Sequence, residues 1–169
     1  YYRYAWSEFK IGDYLLSQFH FKNYTRQFPN GAYVEECLFM NAYCYYLNSP
    51  HYKLDQTYTE SALAEMQNFI DQYPNSTKLD TCNALMDKLH EKLERKEFET
   101  IQQYVQLSDW KAAIMASEHF YKAYPISART EKLMLLQLEA HYQLAKNSVV
   151  SKMADRLQQV QDQYVKFVS

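Results

Sequence analysis

Glycine is almost missing from this sequence, in which Gly12 and Gly31 are the only two glycines among 169 residues. Loops that cradle a phosphate, and the sharp turn that presents a catalytic serine, are both built from closely spaced glycines. Neither kind of catalytic loop can therefore form here. A chain with so few glycines also has few positions for tight turns and β-bulges, which favours helices over sheets.

Long apolar runs and a strong net charge are also lacking. No uninterrupted apolar stretch reaches the ~18 residues that a membrane-spanning helix needs. The formal net charge is −2, and basic residues are interleaved with acidic ones along the chain. Such a chain has no basic stripe for a phosphate backbone, so we expect no nucleic-acid partner.

Cysteine and histidine are few and widely spaced. Cys37 and Cys44 lie on one predicted helix, ~10 Å apart along its axis, which is too far for a disulfide. A bridge from either to Cys82 stays open, but we favour three buried free thiols. Cys82 and His90 are too far apart on one helix to share a zinc ion, and no H-E-x-x-H pattern occurs. The sequence therefore predicts no metal site, no cofactor and no enzymatic activity.

Three of the four prolines follow an aromatic residue, and similar residues lead into each of these aromatic-proline pairs. A small residue stands twelve positions before each proline, and an aromatic residue stands five positions before it. On a helix, the small residue lets a neighbouring helix approach closely, and the ring two turns later fills the groove beyond it. Proline then ends the helix. The copies, each in the order small residue, ring, ring and proline, are Ser17, Tyr24, Phe28 and Pro29; Ala62, Phe69, Tyr73 and Pro74; and Ala113, Phe120, Tyr124 and Pro125.

The first copy, GDYLLSQFHFKNYTRQFP, resembles the second helix of a tetratricopeptide repeat, a 34-residue pair of antiparallel helices. The three prolines are 45 and 51 residues apart, so the additional length must lie in longer helices or loops. The predicted helices pair into four antiparallel hairpins. The predicted fold is an all-α, right-handed solenoid of antiparallel helix pairs, one tetratricopeptide-like repeat domain over residues 1–169. The predicted helices span residues 2–11, 13–27, 32–47, 57–73, 77–106, 109–123, 128–145 and 149–168.

Local signals predict where several of these helices begin. Asp109, Ser127 and Asn147 are candidate N-caps. The run Thr57-Tyr58-Thr59-Glu60 is typical of a capping box. No helix breaker occurs between residues 77 and 106, and the middle of this long helix is charged on most faces. We therefore expect this part of the helix to project from the body of the protein or to bridge neighbouring repeats.

One segment matches a known family in more detail. The stretch EECLFMNAYCYYLNSPHYKLDQTYTESALAEMQNFIDQYPNS is similar to the core of the BamD family, the lipoproteins of the outer-membrane β-barrel assembly machine. Farther on, HEKLERKEFETIQQY and DWKAAIMASEHFYKAYP resemble the long helix and a hairpin of that family. The third copy departs from the family pattern, because Pro125-Ile126-Ser127 stands where Pro-Asn-Ser or Pro-Asp-Thr is expected. The matching positions are Glu35, Phe39, Ala42, Cys44, Tyr46, Asp55, Gln56, Ala62, Phe69, Tyr73, Pro74 and Ser76.

This resemblance implies a non-catalytic scaffold at the periplasmic face of the outer membrane. It implies binding to the POTRA domains of the barrel-forming assembly subunit, to other assembly lipoproteins and to unfolded segments of outer-membrane proteins. The family is anchored by an N-terminal lipid, and this chain begins at Tyr1 without an initiator methionine, signal peptide or lipobox. We therefore expect a fragment or processed product that lacks most of the first repeat. The alternative function is another periplasmic tetratricopeptide adaptor, of the cell-division or pilus-assembly type.

Two groups of residues are candidates for partner contact. The first comprises an aromatic stretch and the Asp-Gln loop after it, and the second lies in residues 108–145. A structural role is the alternative, in which the tyrosines pack the hairpin core, Asp55 caps the next helix and Gln56 locks the loop. The candidate contact residues are Tyr43, Tyr46, Asn48, His51, Tyr52, Asp55, Gln56, Trp110, Arg129 and Lys132.

Overall fold

A computed structural model describes residues 1–168, and these residues form eight α-helices and no β-strand. Each of the eight predicted helices is confirmed, and every observed end lies within two residues of its predicted position. The all-α prediction is therefore correct. In chain order the helices are α1 (Tyr2–Ile11), α2 (Tyr14–Gln27), α3 (Val34–Asn48), α4 (Thr57–Gln72), α5 (Leu79–Gln106), α6 (Trp110–Ala123), α7 (Thr130–Lys146) and α8 (Val150–Val168).

The chain divides into two compact units, and the boundary between them falls inside α5, between Leu93 and Glu94. The first unit contains α1 to α4 and the first half of α5. The second contains the other half of α5 and α6 to α8. The long uninterrupted helix predicted over residues 77–106 is confirmed, and it is 28 residues long.

Consecutive helices of the first unit run antiparallel. The Tyr1 and Phe28 rings lie 6.5 Å apart where the start of α1 meets the end of α2. At the other end of this hairpin, the rings of Phe9 and Tyr14 are 5.4 Å apart. The second hairpin, α3 and α4, is closed by Phe39, whose ring lies 5.7 Å from that of a fully buried phenylalanine, Phe69.

The second unit is built in the same way. The second half of α5 packs on α6 and α7 through Phe98, Ile101 and Phe120, all of which are buried. Near the tight turn between α5 and α6, Asp109 donates its backbone N–H to the carbonyl oxygen of Tyr104 at 2.9 Å. Hydrogen bonds also connect α7 and α8, as described below for the cleft that these helices help to form. Helical hairpins therefore make up both units.

The small residues of the repeated pattern lie where close helix contact requires them. Ser17, Ala62 and Ala113 are all fully buried. The Ser17 hydroxyl donates to the carbonyl oxygen of Ala5 on the preceding helix at 2.9 Å, so the two backbones approach closely. Of the rings seven residues later, two are fully buried, whereas Tyr24 is only half-buried. The predicted close-approach role is thus consistent with all three small residues.

The aromatic-proline stops adopt one backbone conformation. The C-cap residues Phe28, Tyr73 and Tyr124 have φ/ψ angles of −128/65°, −128/64° and −130/67°. Each donates its N–H to the carbonyl oxygen four residues earlier, at 2.8–2.9 Å. The residue before a proline is pushed out of the αR region, which explains why the helix ends here each time. The three stops are therefore structural copies of one another.

A serine two residues after the proline fastens the second and third stops to the preceding helix. Ser76 donates to Glu35 Oε1 and Ser127 donates to Glu94 Oε1, both at 2.6 Å. Each serine oxygen also accepts a backbone N–H two residues later, that of Lys78 at 3.2 Å in one copy and that of Arg129 at 2.9 Å in the other. Ser127 thus does what Ser76 does, although the residue between it and the proline departs from the family pattern.

Two of the predicted N-caps, and the predicted capping box, are wrong. Asp109 is confirmed, since its carboxylate accepts the N–H of Ala112 at 3.2 Å. Ser127 lies two residues before the N-cap of α7, which is Arg129, and Asn147 is the C-cap of that helix rather than the N-cap of α8. The N-cap of α4 is Gln56 rather than Thr57, and Gln56 makes no side-chain cap because its amide is bonded to the loop and to Thr59.

All three cysteines are buried free thiols, as predicted. Burial raises the pKa of the Cys37 thiol from 9.0 to about 12 and that of Cys44 to about 11. Beside Cys44, the Ser17 hydroxyl opposes this rise through a hydrogen bond. At pH 7 both thiols are therefore neutral and behave as small apolar side chains.

Candidate partner-binding surfaces

The loop of residues 49–56, between α3 and α4, is held together by Gln56. This side chain is 5% exposed, and its Nε2 donates to the carbonyl oxygens of both His51 and Leu54 at 3.0 Å. Its Oε1 accepts the hydroxyl proton of Thr59 at 2.7 Å. All of these contacts are internal to the loop and the first turn of α4, so Gln56 locks the loop.

A chain of hydrogen bonds continues from Gln56 to the long helix. Because the Thr59 hydroxyl donates to Gln56, the 2.6 Å bond between Ser49 and Thr59 must be donated by Ser49. The Ser49 oxygen accepts in turn from Lys92 Nζ at 2.6 Å, and the same ammonium donates to the carbonyl oxygen of Pro50 at 3.1 Å. Lys92, on α5, therefore fastens the beginning of the loop, while Gln56 fastens its end.

The Lys92 ammonium is surrounded by neutral oxygens at this point. Burial lowers the pKa of Lys92, and no carboxylate is among the causes of the shift. The charge in the middle of α5 is thus used for anchoring: Lys92 binds the loop in the first unit, and Glu94 binds Ser127 and Arg129 in the second. Of the two expectations for this part of the helix, that it projects from the body or that it bridges neighbouring repeats, these two residues support the second.

The remaining predicted residues of the loop divide into framework and tip. Tyr52 is buried at 8% exposure and its ring lies 4.2 Å from the imidazole of His51. Asp55 Oδ1 accepts the N–H of Thr57, the first residue of α4, at 3.0 Å, which is the predicted capping role. His51, Lys53, Leu54 and Asp55 are exposed. The exposed tip of the loop is therefore residues 51–55 except the buried Tyr52.

The tyrosines of α3 form a stacked row. Phe39 and Tyr43 have ring centroids 5.9 Å apart and an interplanar angle of 8°. Tyr43 and Tyr46 repeat this geometry at 5.9 Å and 10°. Both tyrosines are half-buried against the cores of the first unit, and Asn48 at the end of the helix is half-buried as well. Each of the two tyrosines is thus partly used in packing and partly exposed for contact.

The three predicted residues of the second unit do not form a cluster. Trp110 is half-buried against the core that contains Val105 and Ala113. Arg129 is part of the third stop, where its Nη1 lies 2.8 Å from Glu94 Oε1. Lys132 is exposed in the first turn of α7. Trp110 and Arg129 therefore have structural contacts, and Lys132 alone of the three is fully on the surface.

A cleft of about 680 Å³ lies between α6, α7 and α8, and the sequence pattern did not single it out. Gln163 donates to Gln137 across its floor at 2.7 Å. Burial raises the pKa of Tyr121, on one wall, to about 12, and its hydroxyl has no hydrogen-bond partner within residues 1–168. Burial lowers the pKa of His141. The charge of Glu118 opposes this shift, and that of Lys166 adds to it. Met115, 71% exposed, gives this cleft an apolar rim.

Two further observations concern membranes and metals. Within residues 1–168, no helix is both long enough and apolar enough to cross a membrane. In the same residues, no group of three or more His, Cys, Asp and Glu side chains is placed to hold a metal ion. The surfaces described above offer shape, aromatic area and hydrogen bonds, which are the means of binding other polypeptides.

The helices, their hairpin pairing and the three identical stops define a protein of the tetratricopeptide-like helical-repeat class. The model of the YfiO family, described as outer membrane lipoprotein, matches residues 1–157, so the chain belongs to this family. Among curated proteins, the chain is similar to outer membrane protein assembly factor BamD of Vibrio cholerae, with 26% identity over 99 residues. The matched segment covers 59% of this chain and 41% of that protein's length.

Proposed function

We propose that this chain is a non-catalytic scaffold in the assembly of outer-membrane β-barrel proteins, acting at the periplasmic face of the outer membrane. Its membership of a family of outer membrane lipoproteins supports the location, and the relative's role as an outer membrane protein assembly factor supports the process. Its partners are the POTRA domains of the barrel-forming assembly subunit and other assembly lipoproteins. Unfolded segments of outer-membrane proteins are proposed to bind as well.

The observation that carries the proposal is the rigid display of aromatic and polar groups on stacked helical hairpins. The row Phe39, Tyr43 and Tyr46 offers contact area at a low cost in conformational entropy, as tyrosine-rich interfaces do. The locked loop after α3 continues from the end of this row. Helical repeats use such surfaces to bind other chains rather than to perform chemistry.

The test is a binding titration between the purified chain and the purified POTRA domains from the same organism. We expect a complex in calorimetry and in size-exclusion chromatography. A second titration uses a peptide taken from a strand of an outer-membrane protein. If the aromatic row binds this peptide, Tyr43→Ala and Tyr46→Ala should weaken its binding. Recovery of a cell-division or pilus protein from membrane extract, with no binding to the POTRA domains, would favour the adaptor alternative instead.

A further inference from the structure

The tip of the loop 49–56 presents one large apolar side chain. Leu54 is 60% exposed and stands between Lys53 and Asp55, which are exposed too. The N–H of Leu54 donates to the carbonyl oxygen of His51 at 2.9 Å, so residues 51–54 form a closed turn. An exposed leucine is ordinary on a protein surface. What distinguishes this one is how firmly its backbone is held.

Both ends of the turn are fixed by buried groups. The carbonyl oxygens of His51 and Leu54 accept from the same Gln56 amide, so the first and last residues of the turn cannot separate without breaking these bonds. Gln56 is fixed through Thr59 and Ser49 to Lys92 on α5. The turn therefore loses little conformational freedom when a partner binds, which favours affinity.

We propose that Leu54 is a docking knob that inserts into an apolar pocket of a folded partner domain, and that Lys92 is the residue that positions it. This inference rests on the proposed function and names the kind of partner that the loop contacts. Lys53 and Asp55, which flank Leu54 and carry opposite signs, would favour a pocket whose rim carries an acidic and a basic group.

The shape of the turn favours a folded partner over an extended segment. An extended peptide binds in a groove or along a sheet edge, where its backbone finds hydrogen bonds. At this turn the carbonyl oxygens of His51 and Leu54 are already taken by Gln56, and the N–H of Leu54 is taken by His51. A single protruding side chain on a rigid turn instead suits a preformed pocket, as interface anchors do.

The experiment compares Leu54→Ser with the unchanged chain in titrations against the purified POTRA domains. The knob predicts about tenfold to hundredfold weaker binding, the factor that burial of one leucine contributes. Ile11→Ser is the matched control, because Ile11 is 77% exposed at the end of α1, lies outside both groups of candidate contact residues and should bind normally. Equal affinity of Leu54→Ser and the unchanged chain would overturn the knob and leave the proposed function standing. If the unchanged chain does not bind the domains, both proposals fall.

Lys92→Met tests the positioning role separately. Amide hydrogen exchange at Leu54 should accelerate, and affinity for the POTRA domains should fall, because the loop loses its anchor on α5. Lys88→Met, at an exposed lysine one turn earlier, should change neither measurement. Lys92→Arg should restore part of both, since a guanidinium can still donate to Ser49 and Pro50. Unchanged exchange and affinity in Lys92→Met would exclude the positioning role.

Discussion

Ala42 and Ala62 belong to one buried cluster where α3 packs against α4, and neither side chain is exposed. A larger side chain at position 62 has no space to enter without moving a helix. We therefore expect Ala62→Leu to lower the free energy of unfolding by about 1–3 kcal/mol through overpacking. Ala64→Leu is the control, because Ala64 lies two residues away on the exposed side of the same helix. The measurement is denaturant unfolding of both variants. If Ala62→Leu is as stable as Ala64→Leu, the close-approach role of Ala62 is wrong.

We expect two neighbouring residues, Asp55 and Gln56, to contribute different amounts to the free energy of unfolding. Gln56→Ala removes three hydrogen bonds, to the carbonyl oxygens of His51 and Leu54 and from the Thr59 hydroxyl, at a site that is part-buried or buried, so we expect a loss of roughly 1–3 kcal/mol. Asp55→Ala removes one exposed hydrogen bond to the N–H of Thr57 and should cost about 1 kcal/mol. Thermal unfolding of the two variants gives the order. If Asp55→Ala loses partner affinity but no stability, Asp55 is a contact residue instead.

At the scale of the helix, capping gives the sharpest prediction. Asp13 and Asp109 cap α2 and α6 with the same bond, at 2.9 and 3.2 Å to the N–H three residues later. Asp109→Ala should lower stability by about 1 kcal/mol, whereas Asp109→Asn should keep most of it, since asparagine caps almost equally well. Asn147→Ala should change stability by less than about 0.5 kcal/mol, because this exposed side chain bonds only to Gln143. A larger effect at position 147 than at 109 would reverse the assignment of the caps.

The helices could be predicted because their stops are local. An aromatic residue before proline ends a helix through its own backbone, and this signal is complete within a few residues. The capping box failed for a related reason. The spacing to Glu60 predicts Thr57 as the cap, but the N–H of Glu60 donates to the carbonyl oxygen of Gln56 at 3.0 Å, which makes Gln56 the N-cap. Which of two nearby acceptors receives this N–H depends on backbone angles that cannot be read from a sequence.

The anchors of the loop could not be predicted, since they join residues far apart in the chain. Lys92 and Ser49 are 43 residues apart, and nothing in the run EKLERKE distinguishes the lysine that reaches the loop from its neighbours. The sequence is compatible with two roles for Gln56, holding the loop in place or contacting a partner, and only its burial in the structure separates them. Nothing in the sequence distinguishes Leu54, because an exposed leucine has no signature of its own. The fold was thus readable from periodicity, and the site was not.

For the whole molecule, two of the three thiols predict how stability depends on pH. Folded-state pKa values of about 12 and about 11 at Cys37 and Cys44 lie above the value of 9.0 expected of the unfolded chain. Their contribution is therefore fully present below pH 9 and is lost as pH rises toward 11 to 12. We expect unfolding at pH 10.5 to be easier than at pH 8, by on the order of 1 kcal/mol per thiol.

The double variant Cys37→Ala with Cys44→Ala should reduce this pH dependence without abolishing it. Tyr121 and Tyr124, whose pKa values burial raises to about 12, would account for the part that remains. Denaturant curves at the two pH values provide the comparison. Adding a reductant at pH 8 should leave the curves unchanged, and a marked loss of stability would instead reveal a disulfide that the structure does not contain.

The position of the unit boundary limits how this protein can be taken apart. Leu89 completes the core of one unit, Phe98 completes the core of the other, and a single uninterrupted helix carries both. The two cores are joined by helix rather than by a loop, so no linker between them offers a site for proteolysis or truncation. Any cut between the two cores has to fall inside this helix, so each half would carry a truncated helix with an uncapped end beside its core.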